Sequence, residues 1–177
     1  ITASMDLNVT LNIVLDNLIS QLQVDAADIL EFNAHTQTLC YRAGRGFIGN
    51  AITQTNLRLG EGCPGMAALD RQMVIFTDLD QADCIKRVRL LSDENFVTYF
   101  GVPLIVKGKV KGFLELFHRE KIQPDHEWLN YLEMLAGQAA IAIDSATLFE
   151  NLQRSNLELV AAYNTTLEGW ARALELR

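Results

Sequence analysis

The start of the chain carries apolar side chains at helical spacing. From about Asp6 to Gln23, leucine, valine and isoleucine recur three and four positions apart, with asparagine, aspartate and glutamine between them. Residues at this spacing lie on one side of an α-helix. The pattern predicts an amphipathic helix whose apolar stripe covers another part of the protein.

Two short stretches of β-branched and apolar residues follow. Residues 26–32 and 38–44 are separated by Asn33-Ala-His-Thr-Gln37, a linker of hairpin length. This arrangement predicts two antiparallel strands. The glycine-rich segment from Gly44 to Leu59 then predicts a loop with one brief helical turn.

Two longer strand-like stretches occur later, at residues 96–106 and 110–118. Between them, Lys107-Gly108-Lys109 predicts a tight hairpin, with the glycine supplying a positive φ. The second stretch has apolar residues on both parities, so we expect burial on both faces of that strand. One face then needs packed helices and the other needs a covering segment.

A glycine-punctuated segment, residues 60–78, lies between these two pairs of strands. Its three closely spaced glycines permit a tight loop, and Pro64 suits the first turn of a helix that we expect to end near Arg71. The β-branched and aromatic run from Met73 to Thr77 predicts a strand. The segment therefore predicts the order loop, helix, strand.

This segment, together with later glycines, resembles the central signature of a GAF domain over roughly residues 5–150. The residues that carry the resemblance are Gly60-Glu61-Gly62, Gly65-Met66-Ala67-Ala68, Val74-Ile75-Phe76, Asp78-Leu79, Gly101-Val102-Pro103-Leu104 and Gly112-Phe113-Leu114. The resemblance implies an α+β fold with an antiparallel sheet of five or six strands, helices on one face, and loops and short helices over a ligand site on the other. It also implies a sensory or regulatory role, without naming a ligand.

A long C-terminal helix is predicted after Pro124-Asp125, where Asp125 suits the capping position. Its first part, Leu132–Ile143, is small and apolar nearly all round, so we expect it to pack on the sheet and the first helix, or on a second copy of itself. Beyond Asp144 a heptad seam follows, at steps of four and three that alternate from Leu152 onwards. Its members are Leu148, Leu152, Asn156, Leu159, Tyr163, Thr166, Trp170 and Ala173.

The seam divides the chain into a GAF-like domain, residues 1–147, and a coiled-coil signalling helix, residues 148–177. A single helix cannot bury such a seam, so we expect a homodimer or a partner domain beyond this chain, with the dimer favoured. A polar Asn156 within the seam is typical of positions that fix register and oligomeric state. A helix that enters twin output domains favours a parallel dimer over an antiparallel one. A solvated, unpaired tail is the other interpretation.

Residues 162–177 carry a second resemblance. Leu167-Glu-Gly-Trp-Ala-Arg-Ala-Leu-Glu175 is similar to the helix that leads into HD-GYP phosphodiesterase domains. The resemblance implies a bacterial parent protein that hydrolyses cyclic di-GMP on a bimetal site. The His-Asp pair and Gly-Tyr-Pro motif of that family are absent from these residues, so we expect this chain itself to lack the activity.

Composition and charge restrict the classes of partner. The chain has 177 residues, 49% of them hydrophobic, and a formal net charge of -7. An acidic chain without clustered lysine and arginine is a poor nucleic-acid binder, and the apolar runs are shorter than a membrane span. No targeting leader is visible. We therefore expect a cytoplasmic fragment with no nucleic-acid partner and no membrane span.

The cysteines and histidines suggest no catalytic or metal site. Cys40, Cys63 and Cys84 have no metal-ligand spacing, which favours free thiols in a reducing compartment. Cys63 precedes a predicted helix, where the helix dipole lowers a thiol pKa, so it is a candidate redox site; a small filler residue is the more common role of such a cysteine. His35, His118 and His126 are spaced as surface or capping residues.

The GAF resemblance implies that residues 81–95 form a lid over the sheet face that receives the ligand. Ligand-site candidates come from this lid and the strands beneath it: Cys84, Val88, Phe100, Phe113, Glu115 and Phe117. Glu115 is a polar group within an apolar strand, and an edge position or a pairing with Lys111 or Arg42 is the alternative to a pocket. Cys84 lacks the following histidine of bilin-binding GAF domains, and the cyclic-nucleotide signature is incomplete at Asn95-Phe96. Haem would require an axial ligand, for which Cys84 is the candidate. No cofactor is therefore assigned, and a small metabolite or no ligand remain open.

The sequence thus predicts a sensory module, binding a small molecule or mediating dimerisation, that controls a downstream HD-GYP metal-dependent phosphohydrolase. A purely structural dimerisation module is the first alternative, because Phe100, Phe113 and Phe117 could fill a pocket as well as line one. A thiol redox sensor or reductase that uses Cys63 or Cys84 is the second.

Overall fold

The computed structural model describes residues 2–79 and 91–175, which form an α+β domain with a long C-terminal helix. The helices and strands, in chain order, are α1 (Thr2–Leu22), β1 (Ala26–Asn33), β2 (Thr38–Arg45), β3 (Asn56–Arg58), α2 (Gly62–Asp70), β4 (Val74–Phe76), β5 (Thr98–Val106), β6 (Lys109–His118) and α3 (His126–Glu175), with short 3₁₀ turns at Ala51–Gln54 and Ser92–Glu94.

The six strands form one sheet in the order β3-β2-β1-β6-β5-β4, and every pairing is antiparallel. The two predicted hairpins, β1–β2 and β5–β6, are confirmed. Lys107 and Gly108 both have positive φ, which makes the β5–β6 turn a two-residue turn. Strand β3 lies in a stretch expected to be a loop, because its three residues become a strand only by pairing with the edge of β2.

Two bulges interrupt the ladder near the same end of the sheet. Leu104 pairs with Gly112 and Ile105 with Val110, which leaves Lys111 as an extra residue in β6. Ile29 pairs with Ala43 and Leu30 with Tyr41, which leaves Arg42 as an extra residue in β2. A bulge redirects the side chains around it, and both of these carry a basic residue.

The two faces of the sheet bury separate apolar clusters. On the first, here called the helix face, Ile29, Leu114 and Leu116 pack against α1 and α3. On the second, here called the loop face, Leu30 and Phe113 pack with α2 and the connecting loops, together with the other members of that cluster. Because Phe113 to Phe117 are all buried, the expectation that β6 is covered on both sides is confirmed.

Helices α1 and α3 lie antiparallel on the helix face. Trp128 Nε1 donates to the carbonyl oxygen of Leu22, 3.2 Å away, so the start of α3 meets the end of α1. Asp125 caps α3 as predicted, since its Oδ1 accepts the Trp128 backbone N–H at 2.8 Å. The small apolar stretch Leu132–Ile143 packs on α1 and the sheet, which confirms the first of the two packings expected for it.

Helix α3 is 50 residues long and continues without interruption past the predicted boundary at residue 147. At 1.5 Å per residue it extends about 75 Å. Among the described side chains of α3, Ile143 is the last that is buried, and those from Leu148 onwards are exposed. The helix therefore belongs to the core of the domain at one end and lies in solvent at the other.

Candidate functional site

A row of four residues crosses the loop face at the centre of the sheet. In the strand register, Gly44 pairs with Asp28, Asp28 with Glu115, and Glu115 with Gly101. Asp28 and Glu115 have no exposed surface. Two carboxyl groups side by side in the interior are expensive unless polar or positively charged groups compensate them, which makes this row the most chemically distinctive part of the sheet.

The two flanking glycines are required by the aromatic side chains above them. A Cβ at Gly101 would lie 2.7 Å from the ring of Phe113 and 2.8 Å from the hydroxyl of Tyr99. A Cβ at Gly44 would lie 2.9 Å from the hydroxyl of Tyr41. The glycines therefore allow two tyrosine hydroxyls and a phenylalanine ring to reach the acidic pair.

Tyrosine hydroxyls supply hydrogen bonds and polarity at this row. Tyr99 donates to Glu115 Oε1 at 2.7 Å. Burial raises the pKa of Tyr41 above its usual 10.0, and the nearby Asp28 raises it further while Arg45 lowers it. Tyr41 therefore keeps its proton at neutral pH and remains a donor.

Glu115 differs from its predicted alternative roles. Strand β6 lies inside the sheet between β1 and β5, so the expectation of an edge position for Glu115 is wrong. Lys111 and Arg42, its suggested partners, form ion pairs with Asp144 and Glu31 instead, at 2.6 and 3.4 Å. The residue pattern of the sequence placed Glu115 within a strand, but only the order of the strands in the sheet shows that this strand is an interior one.

An aromatic cluster surrounds the acidic row on the loop face. The ring of Phe117 lies 5.6 Å from Phe47, 4.9 Å from Phe96 and 5.2 Å from Tyr99, measured between centroids. Edge and tilted contacts at these distances stabilise the cluster beyond simple burial. The cluster gives the loop face an apolar surface beside the polar row.

The predicted ligand-site residues are thus only partly brought together. Phe113, Glu115 and Phe117 share the loop face. Phe100 lies on the helix face, 4.6 Å from Trp128 between ring centroids, so its assignment to the same pocket is wrong. Successive side chains of a strand point to opposite faces, and Tyr99, the residue before it, lies on the loop face. Cys84 and Val88 lie outside the described residues.

Sequence reasoning missed an ionic network at the edge of the loop face. Glu94 is buried and accepts the backbone N–H groups of Ile48 and Gly49 at 2.8 and 2.9 Å. Arg119 Nη2 donates to the same carboxylate at 3.0 Å, and its guanidinium lies 4.8 Å from the ring centroid of Phe96. The network ties the residues that follow position 90 to the loop after β2.

The glycine-punctuated loop and α2 form as predicted, within two residues at each end. A Cβ at Gly65 would lie 2.5 Å from the carbonyl oxygen of Arg58, so only glycine permits this close approach of α2 to β3. Cys63, in the first turn of α2, is disulfide-bonded, and the expectation that every cysteine is a free thiol is therefore wrong. Cys40 is free.

The histidines lie apart from one another. His35 is exposed in the β1–β2 loop, His126 is exposed at the start of α3, and His118 Nδ1 lies 2.6 Å from an oxygen of Asp25. Within residues 2–79 and 91–175, no group of three histidine, cysteine or acidic side chains is placed to hold a metal ion.

The exposed part of α3 carries the seam residues. Leu148, Leu152, Leu159, Tyr163 and Trp170 are all more than half exposed, and Asn156 is exposed between them. In the part of the chain that the structure describes, α3 alone meets the length and hydropathy criteria for a membrane span. This is weak evidence, because the core helices of soluble proteins meet the same criteria.

Comparisons with known proteins agree with this architecture. The family model described as GAF domain matches residues 4–144. The GAF domain of a phosphoenolpyruvate-protein phosphotransferase from Coxiella burnetii superposes with a TM-score of 0.74 at 21% identity, covering 82% of this chain and 86% of that one. A GAF domain/HD domain protein from Geobacter sulfurreducens gives 0.70 at 14% identity, covering 82% and 96%.

A third solved structure comes from an enzyme. The type II free methionine-R-sulfoxide reductase of Thermoplasma acidophilum gives a TM-score of 0.65 at 15% identity, covering 81% of this chain and 96% of that one. None of the proteins with curated descriptions matches the sequence. The structural likenesses establish a shared fold, and the family match extends over most of the chain. The chain belongs to the GAF domain family.

Proposed function

We propose that this chain is the sensory module of a bacterial signalling protein and that it binds a small molecule on the loop face. The bound state changes the packing of α3, which carries the signal to a domain beyond residue 177. The observation that carries the proposal is the continuity of α3, whose buried stretch Leu132–Ile143 and exposed seam belong to one uninterrupted helix. A change at the sheet cannot be absorbed by a flexible linker between them.

The partner that we propose for the seam is a second copy of the chain in parallel orientation. Leu152, Leu159 and Trp170 expose about two thirds or more of their surface, and heptad spacing fits them to an identical helix. The proposed output domain is an HD-GYP phosphodiesterase, which follows from the resemblance of residues 162–177. The Geobacter sulfurreducens protein that combines GAF and HD domains is consistent with such an arrangement.

Native mass spectrometry of the 177-residue chain, before and after denaturation, tests both parts of the proposal. We expect a dimer that carries an additional small-molecule mass. A double substitution, Leu152→Glu with Leu159→Glu, should give a monomer because it places charges in the seam. Leu157→Glu is the matched control, since Leu157 is equally exposed but lies off the seam. A monomeric wild-type chain would remove the dimer from the proposal.

Orientation is tested separately by a cysteine at the polar seam position. In a parallel dimer Asn156→Cys places two thiols opposite each other, so mild oxidation should yield a 156–156 cross-linked peptide. In the full-length parent, a one-residue insertion near Ser155 should alter phosphodiesterase activity by rotating everything that follows. Unchanged activity in that variant would refute signalling through the register of the helix.

A structural module without a ligand is the second candidate. The observation that favours it is the density of Phe47, Phe96 and Phe117 on the loop face, where side chains already occupy space around the acidic row. A dimer with no added mass, whose thermal stability is unchanged by a metabolite library, would favour this function.

Thiol redox sensing is the third candidate, because Cys63 is disulfide-bonded in the structure. Reduction should then change the stability or the helix dynamics of the chain. Peptide mapping that finds Cys63 as an unreactive thiol under mild peroxide would remove this candidate.

A further inference from the structure

A groove lies at the end of the sheet where the β1–β2 and β5–β6 hairpins turn. Its cavity volume is about 470 Å³, within the range of small-molecule sites. Phe32, Leu59 and Val110 give it apolar walls, while α2 borders one side and Ile143 and Thr147 of α3 border the other. A molecule in this groove would touch the helix that leaves the domain, which the acidic row on the loop face does not.

The charged residues that line the groove are all basic. Arg71, Lys109 and Lys111 line it, and none of the other described residues that line it is an aspartate or a glutamate. This is unusual in a chain with 22 acidic and 15 basic residues. Arg71 and Lys109 are exposed, so their charges are available to a ligand at the rim. The combination of apolar walls and a basic rim is complementary to an amphipathic anion.

Lys111 connects the groove to α3. Its ammonium lies 2.6 Å from Asp144 Oδ1, and both side chains are largely buried. The β6 bulge makes Lys111 an extra residue in the ladder, and such a residue is free to turn its side chain around the end of the sheet. Asp144 follows Ile143, the last buried residue of α3, so this ion pair holds the helix at the point where it leaves the domain.

We propose that the groove binds an amphipathic carboxylate, such as a medium-chain fatty acid. The ligand carboxylate pairs with Lys111 in competition with Asp144, and the apolar chain lies against Phe32, Leu59 and Val110. Binding exchanges one partner of Lys111 for another and frees Asp144, which loosens the attachment of α3. This regulatory consequence rests on the proposed function, in which α3 carries the signal, whereas the binding site itself does not.

Isothermal titration of the 177-residue chain with octanoate, below its micellar concentration, tests the site. Octanoate should bind, while acetate, which lacks the apolar chain, and octanamide, which lacks the charge, should bind at least about 10-fold more weakly, a difference of about 1.4 kcal/mol. Lys111→Gln should weaken octanoate binding by a similar factor. Asp144→Asn should strengthen it several-fold, because the ammonium then has no competing carboxylate.

Lys107→Gln is the matched control, since Lys107 is exposed in the same turn and does not line the groove. It should leave octanoate affinity unchanged. The proposal is overturned if octanoate does not bind, if octanamide binds equally well, or if Lys107→Gln and Lys111→Gln weaken binding to the same extent. Binding that varies with protein concentration would identify a second copy as the occupant and would also overturn it.

Hydrogen exchange separates the site from the proposed function. Saturating octanoate should increase exchange of the amides that follow Asp144 in wild type, and Lys111→Gln alone should produce much of that increase without ligand. Confirmed binding with unchanged exchange would refute the coupling to α3 and leave the site standing. The oligomeric state measured for the seam variants decides the dimer independently of either result.

Discussion

Glu94 offers the sharpest test of how the loop face is held together. Glu94 is 5% exposed, and its carboxylate accepts hydrogen bonds from Ile48 N, Gly49 N and Arg119 Nη2. Glu94→Ala removes the shared acceptor of all three donors. Hydrogen bonds to a charged group contribute about 1.5–3 kcal/mol each.

The sum of three such bonds overstates the loss, because the remaining groups can relax. Arg119 Nε keeps its hydrogen bond to the carbonyl oxygen of Glu94 at 2.9 Å, its guanidinium keeps the ion pair with Asp25 at 3.4 Å, and its side chain is 29% exposed to water. The two loop amides can also reach solvent if the loop shifts. We therefore expect Glu94→Ala to lower the free energy of unfolding by about 2–4 kcal/mol.

Urea unfolding at pH 7 measures this loss, and hydrogen exchange of the Ile48 and Gly49 amides locates it. Glu94→Gln, which keeps one acceptor oxygen but no charge, should lose about half as much. Asp93→Ala is the matched control, because Asp93 is an exposed acid in the same 3₁₀ turn and should change stability by less than about 0.5 kcal/mol. A loss below about 1 kcal/mol for Glu94→Ala, with the two amides still protected, would refute the reasoning.

Three further predictions concern individual positions. Burial raises the pKa of Glu31 above 4.5, against the lowering effect of Arg42, so the folded state holds this proton more tightly than the unfolded state. Wild-type stability should therefore fall as pH rises through the interval just above 4.5. Glu31→Gln should flatten that decline in the urea midpoints measured from about pH 4 to 7. Gly112→Ala would place a Cβ 2.3 Å from the carbonyl oxygen of Leu30 and should lower the unfolding free energy by about 1–3 kcal/mol, whereas an unchanged melting temperature would contradict that contact. At Gly137, on an exposed helical face, an added Cβ meets no atom within 4 Å, so Gly137→Ala should raise the free energy of unfolding by about 0.5–1 kcal/mol. Calorimetry measures this gain, and its absence would indicate that a second copy packs against that residue.

Local patterns predicted the elements of this fold well. The three-and-four spacing in α1, the cap at Asp125 and the paired glycine-turn strands β5 and β6 each depend on residues close together in the chain. Strand β3 could not be predicted in the same way, because its three residues are extended only where the edge of β2 is available.

The candidate site depended on information that a single sequence does not contain. Alternation in β5 separates Tyr99 from Phe100, but which of the two faces the helices is decided by packing. The order of the strands made Glu115 interior and placed it beside Asp28. The bulge at Lys111 likewise follows from the pairing of two strands. Lys111, which the sequence suggested as a partner for Glu115, pairs with Asp144 of α3.

The uninterrupted helix α3 has a mechanical consequence for whatever follows it. The part of α3 that follows its buried stretch, counted from Ile143 to Glu175, extends about 48 Å at 1.5 Å per residue. A rigid rod of that length converts a tilt of about 5° at its base into a displacement of about 4 Å at its tip. A rearrangement at Asp144 too small to change the fold of the domain is thereby amplified to the scale on which subunit interfaces switch between states.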